Sequence, residues 1–219
     1  MAHLSNGTQI FVEGSRGPEL TVTAVSNAAR PVMTIADSGL VVGDYIIVTS
    51  SNWSRLAEKQ LRVVAVSGSA VTVEGIDTTS TTSFPAPGNA VVHKILSWFE
   101  LPCVTDVSTD GGEQQSITFQ CLSDDREQTI PTYKSAVSTT YTFAHDYTNP
   151  VYPILRQLDE SGELIAVRAY VPRAQEMRLW TGTLAFNETP QVAVNEVETL
   201  SVVITVRGRY SFLSAVVNA

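Results

Sequence analysis

The chain has 219 residues, 43% of them apolar and 16% charged, with a formal net charge of −8. That length holds one large core or two small ones. The low charged fraction leaves Ser, Thr, Asn and Gln to cover the surface, which suits strands and turns better than exposed helices. The acidic balance argues against a nucleic-acid binder of the usual kind, which needs clustered Lys and Arg to displace counterions from phosphates.

Residues 1–10 lack a basic segment followed by an apolar run, and no window approaches the ~20 apolar residues of a membrane span. Synthesis and assembly in a cytoplasm, with no membrane partner, are therefore expected. Cys121 falls on the apolar side of an alternating segment and is expected to act as a small hydrophobe, unbridged to Cys103. Three scattered histidines, His3, His93 and His145, do not make a metal site. No cofactor and no metal are expected.

In chain order, residues 18–93 read as a small inserted β module. Short strands are expected at 19–25, 32–36, 44–50, 61–66 and 70–74, divided by turn signals at Asn27, Gly39, Gly43 and Gly68. A Thr/Ser/Pro-rich run at 78–88 leads back to the main body, residues 1–17 and 94–219. Seven of the 22 acids then fall in one stretch, Glu100, Asp106, Asp110, Glu113, Asp124, Asp125 and Glu127, against one of the 14 bases, Arg126. Such a stretch is either a solubilising face or a functional one.

From Ser116 the chain alternates with period two, Ile117, Phe119 and Cys121 on one side, which predicts a half-buried strand. Residues 124–136 read as a long loop, either a mobile tip or an arm that orders against a neighbouring subunit. Asp124, Ile130, Pro131, Tyr133 and Lys134 are its candidate contact residues, with Ile130 and Tyr133 as apolar anchors. Alternation returns in 137–143 (Val137, Thr139, Tyr141, Phe143) and 200–207 (Leu200, Val202, Ile204, Val206), with further strands at 164–171 and 177–186. Between them Val151, Ile154, Leu155 and Leu158 recur at helical spacing, after Asn149 as a cap and before Gly162 as a stop. The fold expected from these patterns is mainly β, antiparallel sheet with one short helix and an inserted barrel-like module.

Catalytic signatures are absent: there is no G-x-S-x-G, H-E-x-x-H, G-x-x-x-x-G-K-[ST] or C-x-x-C. His145-Asp146 reads as an Asp-stabilised turn rather than part of a triad. The adjacent Asp124 and Asp125 would point to opposite faces of a strand. An enzyme is not expected.

The segments Trp98-Phe99-Glu100-Leu101-Pro102, Thr109 to Gln115, Ile130-Pro131-Thr132-Tyr133-Lys134, Tyr141 to Asp146, Trp180-Thr181-Gly182-Thr183, Phe186 to Pro190 and Asn195-Glu196-Val197 occur in an order and spacing that resembles tail tube proteins of long, flexible, non-contractile bacteriophage tails. The resemblance implies an antiparallel β-sandwich or split-barrel core flanked by one helix, hexameric rings stacked into a tube that conducts DNA without binding it specifically, and a virion location. It also implies partners: further copies of the chain, a tape measure protein, a tail terminator and tail-tip proteins. The seven acids become candidate channel-lining groups, the 124–136 segment a candidate inter-subunit arm, and the 18–93 module a feature of the outer surface. Departures from the family are expected mainly in 18–93. A tail terminator or distal tail protein of the same fold is an alternative. So is a carbohydrate-binding β adhesin using Trp53 and Trp98 as stacking platforms.

Overall fold

The computed structural model describes residues 7–123, 125–192 and 194–216. Strands take 57% of the residues and one helix 5%, so the fold is mainly β as expected. First come β1 (Gln9–Val25), β2 (Val32–Ile35), β3 (Tyr45–Ser51), β4 (Gln60–Ser67), β5 (Ala70–Glu74) and β6 (Gly88–Glu100). Then follow β7 (Val104–Gly111), β8 (Gln114–Phe119), β9 (Gln128–Lys134), β10 (Val137–Ala144), α1 (Val151–Ser161), β11 (Ile165–Val171), β12 (Glu176–Gln191), β13 (Thr199–Val206) and β14 (Ser211–Ser214).

Antiparallel pairing runs β7-β10-β13-β12-β11-β1-β6, and β14 also pairs with β12. Strand β12 changes partner at Gly182, which faces Ile165 of β11 and Val206 of β13. Its first half forms a layer with β14, β11, β1 and the end of β6; its second half forms another with β13, β10 and β7. The sheet folds over there, and the two layers enclose one core. Tyr141, Phe143, Leu184, Phe186, Leu200, Val202 and Ile204 point in from one layer, against Ile10, Val12, Ile165, Val167 and Trp180 from the other.

Helix α1 covers this core beside β12. Asn149 Oδ1 accepts the Val151 amide at 3.0 Å, and Gly162 adopts the left-handed φ of 60° that ends the helix. Val151, Tyr152 and Leu155 are buried, and the Tyr152 ring meets Phe143 and Phe186 edge-on.

At its far end β1 also pairs with β2, so β1-β2-β5-β4-β3-β6 close into a six-stranded barrel, which leaves no free edge. Met33, Ile46, Val63, Val71 and Val92 fill it together with Trp53. Positions 18 and 93 both lie inside strands shared by the barrel and the sandwich. The β1–β6 register is irregular between Glu13 and Glu19, where Gly14 and Gly17 let the pair bend from one body to the other.

The seam between the bodies is polar and mostly satisfied. Where β1 diverges from β11, the Glu13 carboxylate takes over the ladder, accepting the Ala166 amide at 2.8 Å while pairing with Arg16, which also donates to the Leu164 carbonyl. Gln60, its amide oriented by the hydrogen-bond network, donates to the carbonyls of Val167 (2.9 Å) and Trp180 (3.1 Å). Lys59 Nζ donates to Gly75 O and Ser211 Oγ, and burial, then the nearby Arg209 charge, lowers its pKa. The Arg168 guanidinium lies over the rings of Trp98, Phe11 and Tyr45 at 4.4, 4.8 and 5.2 Å, joining β11 to strands of both bodies.

Two substitutions test this architecture. A Cβ at Gly182 would sit 2.5 Å from the Thr205 carbonyl oxygen, which cannot move without breaking the β12–β13 ladder. Gly182→Ala should cost about 1–3 kcal/mol in urea unfolding. Glu13→Ala strands the Ala166 amide and removes the main ion-pair partner of Arg16, and should cost roughly 2–4 kcal/mol. Glu13→Gln, which keeps an acceptor, should recover part of that loss.

Candidate assembly surfaces

The β7-β10-β13-β12 layer is amphipathic across its whole width. Register aligns Asp106, Ser108 and Asp110 of β7 with Thr142, Thr140 and Ser138 of β10. These align in turn with Ser201, Val203 and Thr205 of β13, then Asn187, Ala185 and Thr183 of β12. All point away from the core, all are exposed or half-exposed, and none is Lys or Arg. The layer also has two open edges. Among the described residues no strand pairs with the outer side of β7, nor with β12 beyond Gly182 on the side away from β13.

Of the six described acids, the fold brings only Asp106 and Asp110 onto this face. Glu100 lies at the end of β6 in the other layer, 3.5 Å from Gln9 Nε2. Glu113 sits in the turn after β7, and Asp125 and Glu127 lie between β8 and β9, all exposed. Asp124, an acid and arm candidate, lies outside the described residues.

The 124–136 segment is not a long loop. Residues 128–134 form β9, which pairs with β8 as a separate two-stranded sheet, Ile117 opposite Ile130 and Phe119 opposite Gln128. Nor is the 116–121 strand half-buried. Ile117 is 62%, Ile130 52% and Phe119 39% exposed on one hairpin face, and Cys121 is exposed too. The alternation is present, but no other described residue covers its apolar side. Pro131, Tyr133 and Lys134 are likewise exposed on β9. Because these side chains contribute little burial, Ile117→Asp with Ile130→Asp should change monomer stability by no more than about 0.5 kcal/mol in thermal or urea unfolding.

Other candidates resolve into structure. Asp146 Oδ1 accepts the Thr148 hydroxyl at 2.6 Å and its amide at 3.1 Å, which lowers the Asp146 pKa and fixes a turn; His145 Nδ1 meets the Tyr152 hydroxyl at 3.1 Å. Trp53 is buried in the barrel with Nε1 donating to the Pro85 carbonyl, and Trp98 is half-buried beneath Arg168, so neither ring is an open platform. Among the described residues no three His, Cys, Asp or Glu side chains gather as a metal site. Sequence reasoning missed Glu13, Gln60 and Arg168, since a lone polar residue carries no signal of its burial.

These features define a β-sandwich subunit built on one amphipathic sheet with open edges. The family model described as phage tail tube protein, TTP, matches residues 51–215, and the chain belongs to that family. It is therefore a structural, self-associating component of a virion tail. The match takes in β4, β5 and β6, so much of the segment expected to depart from the family lies within it. Among solved structures, a chain from the virion of a native gene transfer agent particle is similar at 10% identity and a TM-score of 0.39, over 53% of this chain and 89% of that one. Comparison with curated proteins finds no significant match.

Proposed function

We propose that the protein assembles as hexameric rings that stack into the tube of a long non-contractile tail, and that this tube is the conduit for DNA ejection. The observation that carries the reading is the β7-β10-β13-β12 layer, with a core on one face, a hydroxyl and carboxylate surface on the other, and an open edge on each side. Four antiparallel strands alternate in direction, so the β12 edge of one copy meets the β7 edge of the next antiparallel. The alternation then continues around a ring. Six copies would give about 24 strands; at ~4.8 Å spacing and roughly 40° tilt they close at a backbone diameter of about 48 Å. That width admits a hydrated duplex, whereas half as many strands would not.

In this ring the polar face becomes the channel wall, with Asp106 and Asp110 as its acids. DNA carries one charge per ~1.7 Å, so basic walls would gain counterion-release energy at every step and hold the genome. Repulsion from acids, screened over about 8 Å at physiological salt, keeps the duplex from the wall. The 18–93 barrel stacks on the face of β11 that points away from the sandwich core, through Tyr45, Ile47 and Ile95, and so lies on the outside of the tube. The β8–β9 hairpin is the arm to a neighbouring copy, since an isolated hairpin is marginal in water and its apolar face lacks cover. Tape measure, terminator and tail-tip proteins complete the set of partners.

Electron microscopy of the purified protein tests the assembly: open-ended tubes are expected, and single closed rings would favour a terminator or distal tail role. Asp106→Lys with Asp110→Lys should leave tubes intact but slow DNA delivery, most at low salt. Delivery at the normal rate would reduce both acids to solubility groups.

A further inference from the structure

Among the described residues, nothing closes the sandwich behind β7. A cleft of about 700 Å³ opens at that edge between the two layers, with Val107 of β7 at its lip and Tyr141, Trp180, Tyr210 and Phe212 in its walls. Val107 and Phe212 are 50% and 63% exposed there, beside the polar Asp106, Thr109 and Arg178, so the mouth is mixed in character. Two wall groups, Thr139 Oγ1 and Trp180 Nε1, on residues only 2% and 3% exposed, have no hydrogen-bond partner among the described residues. A buried N–H or O–H without an acceptor is costly, and such orphans are rare in a completed structure. Burial, then the neighbouring Tyr210, also raises the Tyr141 phenol far above its usual range, so it stays neutral.

The opposite edge of the same layer carries what this cleft lacks. Helix α1 and the turn before it lie on the core side of β12, where Tyr152 packs on Phe186 and Arg156 pairs with Glu188 at 2.7 Å. Tyr147, in that turn, is 85% exposed. If β12 of one copy meets β7 of the next, the layers behind the two strands must also meet. The structure at the back of the β12 edge then arrives at the mouth of the cleft behind β7.

We infer that the cleft behind β7 is the seat for the α1 edge of a second copy, the 146–150 turn and the start of the helix, which closes the sandwich and brings backbone or carboxylate acceptors to its orphaned donors. The inference rests on the ring reading above and gives it a second contact, independent of strand pairing. Each subunit would thus lend its helix edge to complete its neighbour's core.

Cysteine cross-linking tests it. In a background with Cys103→Ser and Cys121→Ser, Val107→Cys is combined in turn with Tyr147→Cys, Arg156→Cys and Glu188→Cys, and the assembled protein is oxidised. At least one pair should give a ladder of covalent oligomers up to the ring size, absent from unassembled monomer. Hydrogen exchange on the unmodified protein is the second measurement and decides alone if the variants do not assemble. Amides of residues 146–149, which β7–β12 pairing does not touch, should exchange about tenfold or more slowly in rings than in monomer. Rings in which no pair cross-links and the turn exchanges as in monomer would overturn this inference and leave the ring reading standing. Absence of rings or tubes from the unmodified protein would overturn both.

Discussion

Strand β12 hydrogen-bonds to β11 and β14 over its first half and to β13 over its second, and most of the molecule's geometry follows from that change of partner at Gly182. A continuous strand in two layers forces the sheet to fold over rather than lie flat, which creates the sandwich core. It also leaves the second half of β12 with one ladder unmade, as β7 is at the other end of the layer. Unpaired edges are a hazard for a soluble monomer, and proteins usually blunt them with charge, bulges or cover. Here Asp106 and Asp110 supply charge on β7, pointing off one face and leaving the backbone edge itself open.

The barrel is tied to the sandwich by more than its two shared strands. Glu13, Gln60 and Lys59 each place a side-chain group where a backbone ladder stops, so the seam leaves few buried carbonyls or amides unpaired. The Arg168 guanidinium, stacked among three rings drawn from β1, β3 and β6, adds a contact that neither body makes alone. Relative motion of the two bodies would break several hydrogen bonds at once.

Periodicity made much of this visible in the sequence. The 137–143 and 200–207 alternations mark inward and outward faces as the structure has them, with Val203 the one apolar residue on the polar side. The Asn149 and Gly162 signals bracket the helix. What period two cannot say is whose surface covers an apolar face, so the Ile117 and Phe119 stripe reads as half-buried in sequence and is exposed in this subunit. The hairpin was missed because Pro131 and the polar residues of 128–134 hide a strand that buries nothing. The acids were visible as a cluster, but which of them share a face depends on the β7–β10 register, a long-range property. The bend of β1 at Gly14 and Gly17 carried no signal of its own, because it depends on the β1–β6 register.

The outward face of the β7-β10-β13-β12 layer is built largely from Ser138, Thr140, Thr142, Ser201, Thr183 and Thr205. Each of these side chains ends one bond past Cβ and has a single χ1 torsion, so the surface has little relief and few conformers to reorganise. Each hydroxyl both donates and accepts, and so holds water in either orientation. A polymer sliding along such a surface shears a hydrated film and meets no long side chains that must be pushed aside and relax behind it. As the channel wall proposed above, this face would be smooth at the scale of a methyl group, and its drag would be set mainly by the viscosity of the water it holds.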